Sequence, residues 1–144
     1  SRIVANYGEE SKPDRIAKAI VRNRPIDTTL QLSTIVIKAL KRPWGKIHPA
    51  TRTFQAIRME VNGEMENLES ALYQSQEVLS PGGRLAVISY HSLEDRLVKN
   101  FLTQKHREGE TLRIINKKVI KPSHTEIRSN RRSRSARMRV AERI

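Results

Sequence analysis

The stretch Ser80 to Gln104, SPGGRLAVISYHSLEDRLVKNFLTQ, decides the fold. Ser80-Pro81-Gly82-Gly83 is turn chemistry, because Pro fixes φ and the two Gly residues allow positive φ. Arg84 to Tyr90 is then a short, nearly continuous apolar run. Such a run suits a strand covered on both faces, as in a parallel sheet. His91-Ser92 follows at once, and Leu93, Leu97, Val98, Phe101 and Leu102 recur at helical spacing. Ser92 with Asp95 matches a helix-capping signature, so Ser92 reads as the N-cap. The unit is strand, two-residue turn, helix. In open α/β sheets ligands bind beyond the carboxyl ends of strands, which is where Tyr90, His91 and Ser92 stand.

Outward from this unit, composition narrows the partners. The chain has 144 residues, about one domain, with 37% hydrophobic residues to build a core. Absence of Cys excludes disulfides and thiolate metal sites. There is no H-E-x-x-H or similar spacing, so no metal is expected. No run approaches the ~20 apolar residues of a membrane span, and the N-terminus lacks a signal-peptide core. Without an initiator Met, the chain is expected to begin inside a longer protein or to follow processing. Twenty-eight Lys/Arg against 15 Asp/Glu give a net charge of +13. A clustered field of that sign attracts polyanions, of which nucleic acid is the commonest inside cells.

The first half reads as helical. Ser11-Lys12-Pro13 starts one helix with Ser11 as N-cap, and Asp27-Thr28-Thr29 starts a second burying Leu32, Ile35, Val36, Ala39 and Leu40. A third runs from Pro49 to Asn62, with Phe54, Ile57 and Val61 on an apolar face and Gly63 interrupting. A fourth, Glu64 to Leu79, carries Met65, Leu68, Leu72, Ser75, Val78 and Leu79 on one stripe. Beyond the central unit, Thr111–Ile120 is Ile/Val/Thr-rich and predicts a strand. A short helical turn follows at Thr125–Arg128 and a loop at Arg128–Arg134. Ala136–Ile144 alternates Met138 and Val140 with Arg137 and Arg139, as a half-exposed strand does.

Four segments together resemble one family. They are Tyr7-Gly8-Glu9-Glu10 with Arg15-Ile16-Ala17; His48 to Arg58; Pro81-Gly82-Gly83-Arg84-Leu85 running into Ser92-Leu93-Glu94-Asp95-Arg96; and Arg132 to Ala136 with Arg139 to Arg143. In this order they resemble the C-terminal part of the ribosomal RNA small subunit methyltransferase H family. The resemblance implies methylation of N4 of a cytidine in 16S rRNA, using S-adenosylmethionine, in the cytoplasm of a bacterium or in an organelle. It implies an α/β fold: the C-terminal part of a class I, Rossmann-like methyltransferase sheet, with an inserted all-helical substrate domain. Residues 1–46 would be part of that domain. Residues 47–144 would close the methyltransferase domain, with strands near 84–90, 111–120 and 136–144 and the last strand antiparallel between the other two. The family's cofactor loop lies in its N-terminal half, so no cofactor-binding residue is assigned here and the chain alone is expected to be inactive. The partners implied are 16S rRNA of the small subunit and the N-terminal part of the same enzyme. Without that part, the Leu85–Ser89 edge is expected to drive self-association.

Each candidate residue has two readings. His91 is either a substrate-pocket residue, and the one catalytic candidate, or a polar turn residue. Ser92 is a helix cap or a pocket residue. Arg52, Gln55, Arg58 and Asn62 share a helix face that is either solvated or turned toward RNA. Arg128, Arg131, Arg132, Arg134, Arg137 and Arg139 form the densest positive cluster, which is either a solvated charge run or, the favoured reading, a set of phosphate contacts. Trp44 is a base-stacking residue or a hydrophobic anchor. The overall alternative to an enzyme is a non-catalytic, basic RNA-binding module of the same ancestry.

Overall fold

Capping and glycine chemistry place most of the helices of the computed structural model. It describes residues 1–41, 45 and 47–144; the readings of Trp44 lie outside the described residues. The chain divides into two compact units, Ser1–Glu64 and Met65–Ile144. Among the described residues no helix is long and apolar enough to cross a membrane.

The first unit holds α1 (Arg2–Asn6), α2 (Pro13–Arg22), α3 (Thr29–Leu40) and α4 (Thr51–Asn62). At α2 the N-cap is Lys12 rather than Ser11, and no side chain caps it. Ser11 instead gives its backbone N–H to the Glu10 carboxylate. The sequence places the start of α3 at Asp27-Thr28-Thr29, and there Thr28 caps the helix in a reciprocal box with Gln31. Val4, Ile16, Val36, Ala39, Leu40 and Ala50 form the core, with Phe54 packed against it. On α4 the buried stripe is Thr53, Ala56 and Met59, whereas Val61 is 77% exposed. Of the expected apolar face Phe54 packs against the core, while the fully buried positions lie one or two residues earlier than expected. Gly8 is needed for close approach. A Cβ there would stand 2.6 Å from the Val4 carbonyl oxygen and 2.9 Å from that of Arg52. Both obstacles are backbone and cannot swing aside.

The second unit holds most of α5 (Glu64–Val78), then β1 (Arg84–Ser89), α6 (Ser92–Glu108), β2 (Leu112–Ile114), α7 (His124–Ser129), a 3-10 turn (Arg131–Ser135) and β3 (Arg137–Arg143). The strands form a three-stranded sheet in the order β1-β3-β2, with β3 antiparallel to both neighbours. The architecture is thus mixed α/β. Strand β2 is shorter than Thr111–Ile120 because the chain leaves the ladder at Asn116. The Asn116 side chain takes over, accepting from the Val140 N–H at 2.6 Å and donating to the Lys118 carbonyl at 2.8 Å. Ile120 then rejoins β3 in a single bridge to Met138. Arg131–Ser135, expected as a loop, is a 3-10 turn capped by Asn130.

The cross-strand register sorts side chains onto two faces. Leu85, Val87 and Ser89 stand opposite Ala141, Arg139 and Arg137, and this face meets the helices. Leu72 of α5, Val98, Phe101 and Leu102 of α6, Leu112 and Ala141 make its core. Tyr73 meets the Phe101 ring edge-on, 5.1 Å between centroids. Val78, expected on the buried stripe of α5, is 81% exposed. On the other face Ile88 is 54% exposed. Strand β1 therefore has neither the two-sided cover nor the parallel neighbour its apolar run predicts; its one partner among the described residues is β3.

Asp95 ties α6 to the central strand. Only 7% exposed, it accepts from Arg139 Nε at 2.7 Å and Nη2 at 3.3 Å, and from Arg137 Nη1 at 3.0 Å. Two of the six arginines read as phosphate contacts thus serve the fold. The Arg139 guanidinium, against the opposing effect of burial and with help from Arg137, holds the Asp95 carboxyl below its ordinary 3.8.

Two outcomes follow for stability. Gly8→Ala should destabilise the first unit by about 1–3 kcal/mol through overpacking, lowering the urea midpoint at unchanged slope; an unchanged midpoint would show that the approach is not tight. Because the folded carboxyl of Asp95 titrates below its unfolded value, the ion pair stabilises fully above pH 3.8. That contribution fades as pH falls through the lower folded value. Asp95→Asn should cost roughly 3 kcal/mol at neutral pH and flatten the acid limb of a urea-midpoint-versus-pH series. An acid limb identical to that of the parent chain would contradict the clamp.

Candidate functional site

The turn after β1 is built by a reciprocal cap. The N-cap of α6 is His91, not Ser92, which is the first helical residue. The Glu94 N–H donates to His91 Nδ1 at 3.3 Å. In return Glu94 Oε2 accepts the N–H groups of Tyr90 at 2.8 Å and His91 at 3.3 Å. Burial would raise the Glu94 carboxyl, but the His91 side chain and these N–H donors outweigh it and hold the group below 4.5. His91 Nε2 lies 3.2 Å from Glu94 Oε1. It makes no aligned hydrogen bond there, so that contact is electrostatic. With Nδ1 accepting, the proton belongs on Nε2. The lone pair that a general base needs is committed to the cap.

Beyond the carboxyl end of β1 opens a cleft of about 330 Å³. Tyr90, His91 and Ser92 line one side; Lys121, Arg134, Ser135, Ala136 and Arg137 line the other. Tyr90 is 55% exposed. Arg134 is presented by the 3-10 turn, where Ser133 is buried and donates to the Asn130 carbonyl at 2.8 Å. At three residues per turn Arg131 and Arg134 share a face. Arg137 reaches the cleft while held by Asp95, its side chain still 42% exposed.

Three cationic side chains and no carboxylate line the cleft. Such a lining attracts phosphate and repels the sulfonium of S-adenosylmethionine. The residues present do not fit that cofactor.

The structure gathers His91, Ser92 and Arg134 at this cleft. Arg131 and Arg132 stand exposed on the same 3-10 turn without lining it. Arg52, Gln55, Arg58 and Asn62 belong to the first unit and are engaged there. Arg58 forks onto Glu64 at 2.7 and 2.9 Å, and Asn62 donates to the same carboxylate. Arg52 donates to the Glu9 carbonyl and Gln55 to the Met59 sulfur. Tyr90 lines the cleft too, at the position beyond the strand end that the sequence indicates; sequence reading missed Lys121, Ser135 and the placement of Arg137 there. For Lys121 the signal was its position closing the strand before Pro122.

The whole chain, residues 1–144, matches the model of the MraW methylase family. It is 52% identical to a ribosomal RNA small subunit methyltransferase H of Dehalococcoides mccartyi, covering 100% of this chain and 45% of that protein. Identity to the protein of the same name from Synechococcus elongatus is 48%, over 100% of this chain and 48% of the relative. For Elusimicrobium minutum the figures are 53%, 99% and 49%. The chain spans about half the length of these curated relatives. Full-length agreement with the family model, at half identity to its named relatives, makes this chain a member of the MraW methylase family.

Proposed function

We propose that this chain is the C-terminal, RNA-facing portion of an S-adenosylmethionine-dependent enzyme that methylates N4 of a cytidine in 16S rRNA. The observation that carries the reading is the phosphate-suited cleft at the carboxyl end of β1, in a chain half identical to proteins named for small-subunit rRNA methylation. In this reading the three strands close a class I, Rossmann-like sheet. Residues 1–46 belong to an inserted helical substrate domain and residues 47–144 to the methyltransferase domain. The N-terminal portion holds the cofactor, which supplies the methyl group, and adds the strand that the open edge of β1 lacks; a second copy of the chain is the alternative occupant of that edge. The enzyme works in the cytoplasm, where its rRNA is.

This chain's part is binding and orientation. Arg134, Lys121 and Arg137 hold a phosphate beside the target nucleotide. The His91–Glu94 box fixes the turn that presents Tyr90 and Ser92 to the same cleft. Attack by an amine needs no covalent nucleophile, so positioning carries most of the work. Arg131 and Arg132 extend the cationic face, and Arg52, Gln55, Arg58 and Asn62 offer a further RNA-facing surface on α4.

The test is methyl transfer by the full-length protein to small-subunit rRNA, read at cytidine N4. The parent should methylate. His91→Asn keeps a capping side chain, so it should fold normally and keep most of its turnover, whereas His91→Ala opens the box and should lose about 1 kcal/mol of stability and turn over at least tenfold more slowly. Unchanged turnover of His91→Ala at saturating RNA and cofactor would strike His91 from the site. Tight RNA binding without any methylation by the parent would leave only a non-catalytic RNA-binding module.

A further inference from the structure

A second cleft, of about 380 Å³, lies farther along α6, where the helix faces β2. Its size falls within the ~300–1,000 Å³ of ligand clefts. Lys99, Thr103 and His106 line it from one face of α6, at spacings of four and three residues. Lys117 and Arg113 approach from β2 and the turn after it. Leu102, Ile114 and Val140 give it an apolar wall.

The cations there are not equivalent. Arg139 is bound to Asp95, and Arg113 donates to Glu142 at 2.6 Å. Asn116, also at the cleft, spends its amide on the Val140 N–H and the Lys118 carbonyl. Lys99 and Lys117 are exposed, form no ion pair among the described residues, and no carboxylate lines the cleft beside them. Two unneutralised ammonium groups over an apolar wall suit a ligand with an anionic end and a flat apolar body. A nucleotide is such a ligand: phosphate on the lysines, base or ribose on Leu102, Ile114 and Val140. Thr103 and His106 supply hydrogen-bonding groups for a sugar hydroxyl or base edge.

We propose that this α6–β2 cleft is a second nucleotide-binding site, which takes a nucleotide of the same single-stranded RNA. This rests on the RNA reading above. Lys99 is seven residues past the start of α6, so the two clefts lie about 10 Å or more apart along one helix. One RNA strand touches both, and the second cleft sets its direction across the first. The charge of +13 favours nucleic acid over an acidic protein as the occupant.

The experiment uses the full-length protein, a single-stranded RNA oligonucleotide, and cytidine 5′-monophosphate as the free-nucleotide probe. Affinity is measured against salt for the parent, for Lys99→Ala/Lys117→Ala, and for Arg131→Ala/Arg132→Ala/Arg134→Ala, with melting curves as a folding check. Each phosphate contact contributes about 0.7 to the slope of log affinity on log salt. The lysine pair should flatten the slope by about 1.4, and the arginine triple should flatten it by about 2. In the parent, RNA should shift the methyl resonances of Leu102, Ile114 and Val140, and the lysine variant should lose those shifts. Free cytidine monophosphate should give the same shifts only weakly; stronger binding of the mononucleotide than of RNA would overturn the assignment to an RNA strand. An unchanged slope in the lysine variant beside a flattened one in the arginine variant would refute this site alone. A parent whose RNA affinity ignores salt would refute the RNA reading itself.

Discussion

The second unit depends on one buried carboxylate. Asp95 sits in the first turn of α6 and receives three N–H donors from Arg137 and Arg139 of β3. Because β3 is the middle strand, the clamp fixes the helix against both strand neighbours at once. It also sets where β3 begins beside the cleft, since Arg137 is both a clamp donor and a lining residue. Three charge-assisted bonds satisfy a group whose burial would otherwise be costly. The fold and the electrostatics of the cleft therefore rest on the same side chains.

The capping box beside it has a chemical consequence. Glu94 answers the turn's N–H groups and His91 answers the helix's. His91 is thus held in one orientation with its Nδ1 lone pair occupied. A residue so placed shapes a pocket, with its Nε2 buried beside Glu94, and does not remove a proton through Nδ1. This is why the cationic residues opposite, rather than the histidine, dominate what the cleft attracts.

Much of this was legible in the sequence, and the failures have identifiable causes. The β1–α6 unit was readable because Pro81-Gly82-Gly83 and the helical spacing after Ser92 are strong local signals. The cap was misplaced by one residue because Ser is a common N-cap and His is not. Strand β2 was overextended because composition does not reveal that the Asn116 amide substitutes for ladder bonds. The alternation of β3 showed two faces, yet nothing local tells that the arginine face turns inward to meet a carboxylate more than 40 residues away in sequence, at separations of 42 and 44. Val61 and Val78 are exposed although both fit an apolar periodicity. Periodicity names faces; tertiary partners choose between them.

The proposed function requires β1 to be an internal strand of a larger sheet whose remaining strands come from the N-terminal portion of the enzyme. Among the described residues β1 pairs on one edge only, with β3. Amide hydrogen exchange over Arg84–Ser89, compared between the 144-residue chain and the full-length protein, tests this directly. The account predicts fast exchange of the outward-facing amides in the chain alone and protection by at least a hundredfold in the full-length protein. Equal exchange in the two would contradict it, and β1 would then be a true edge.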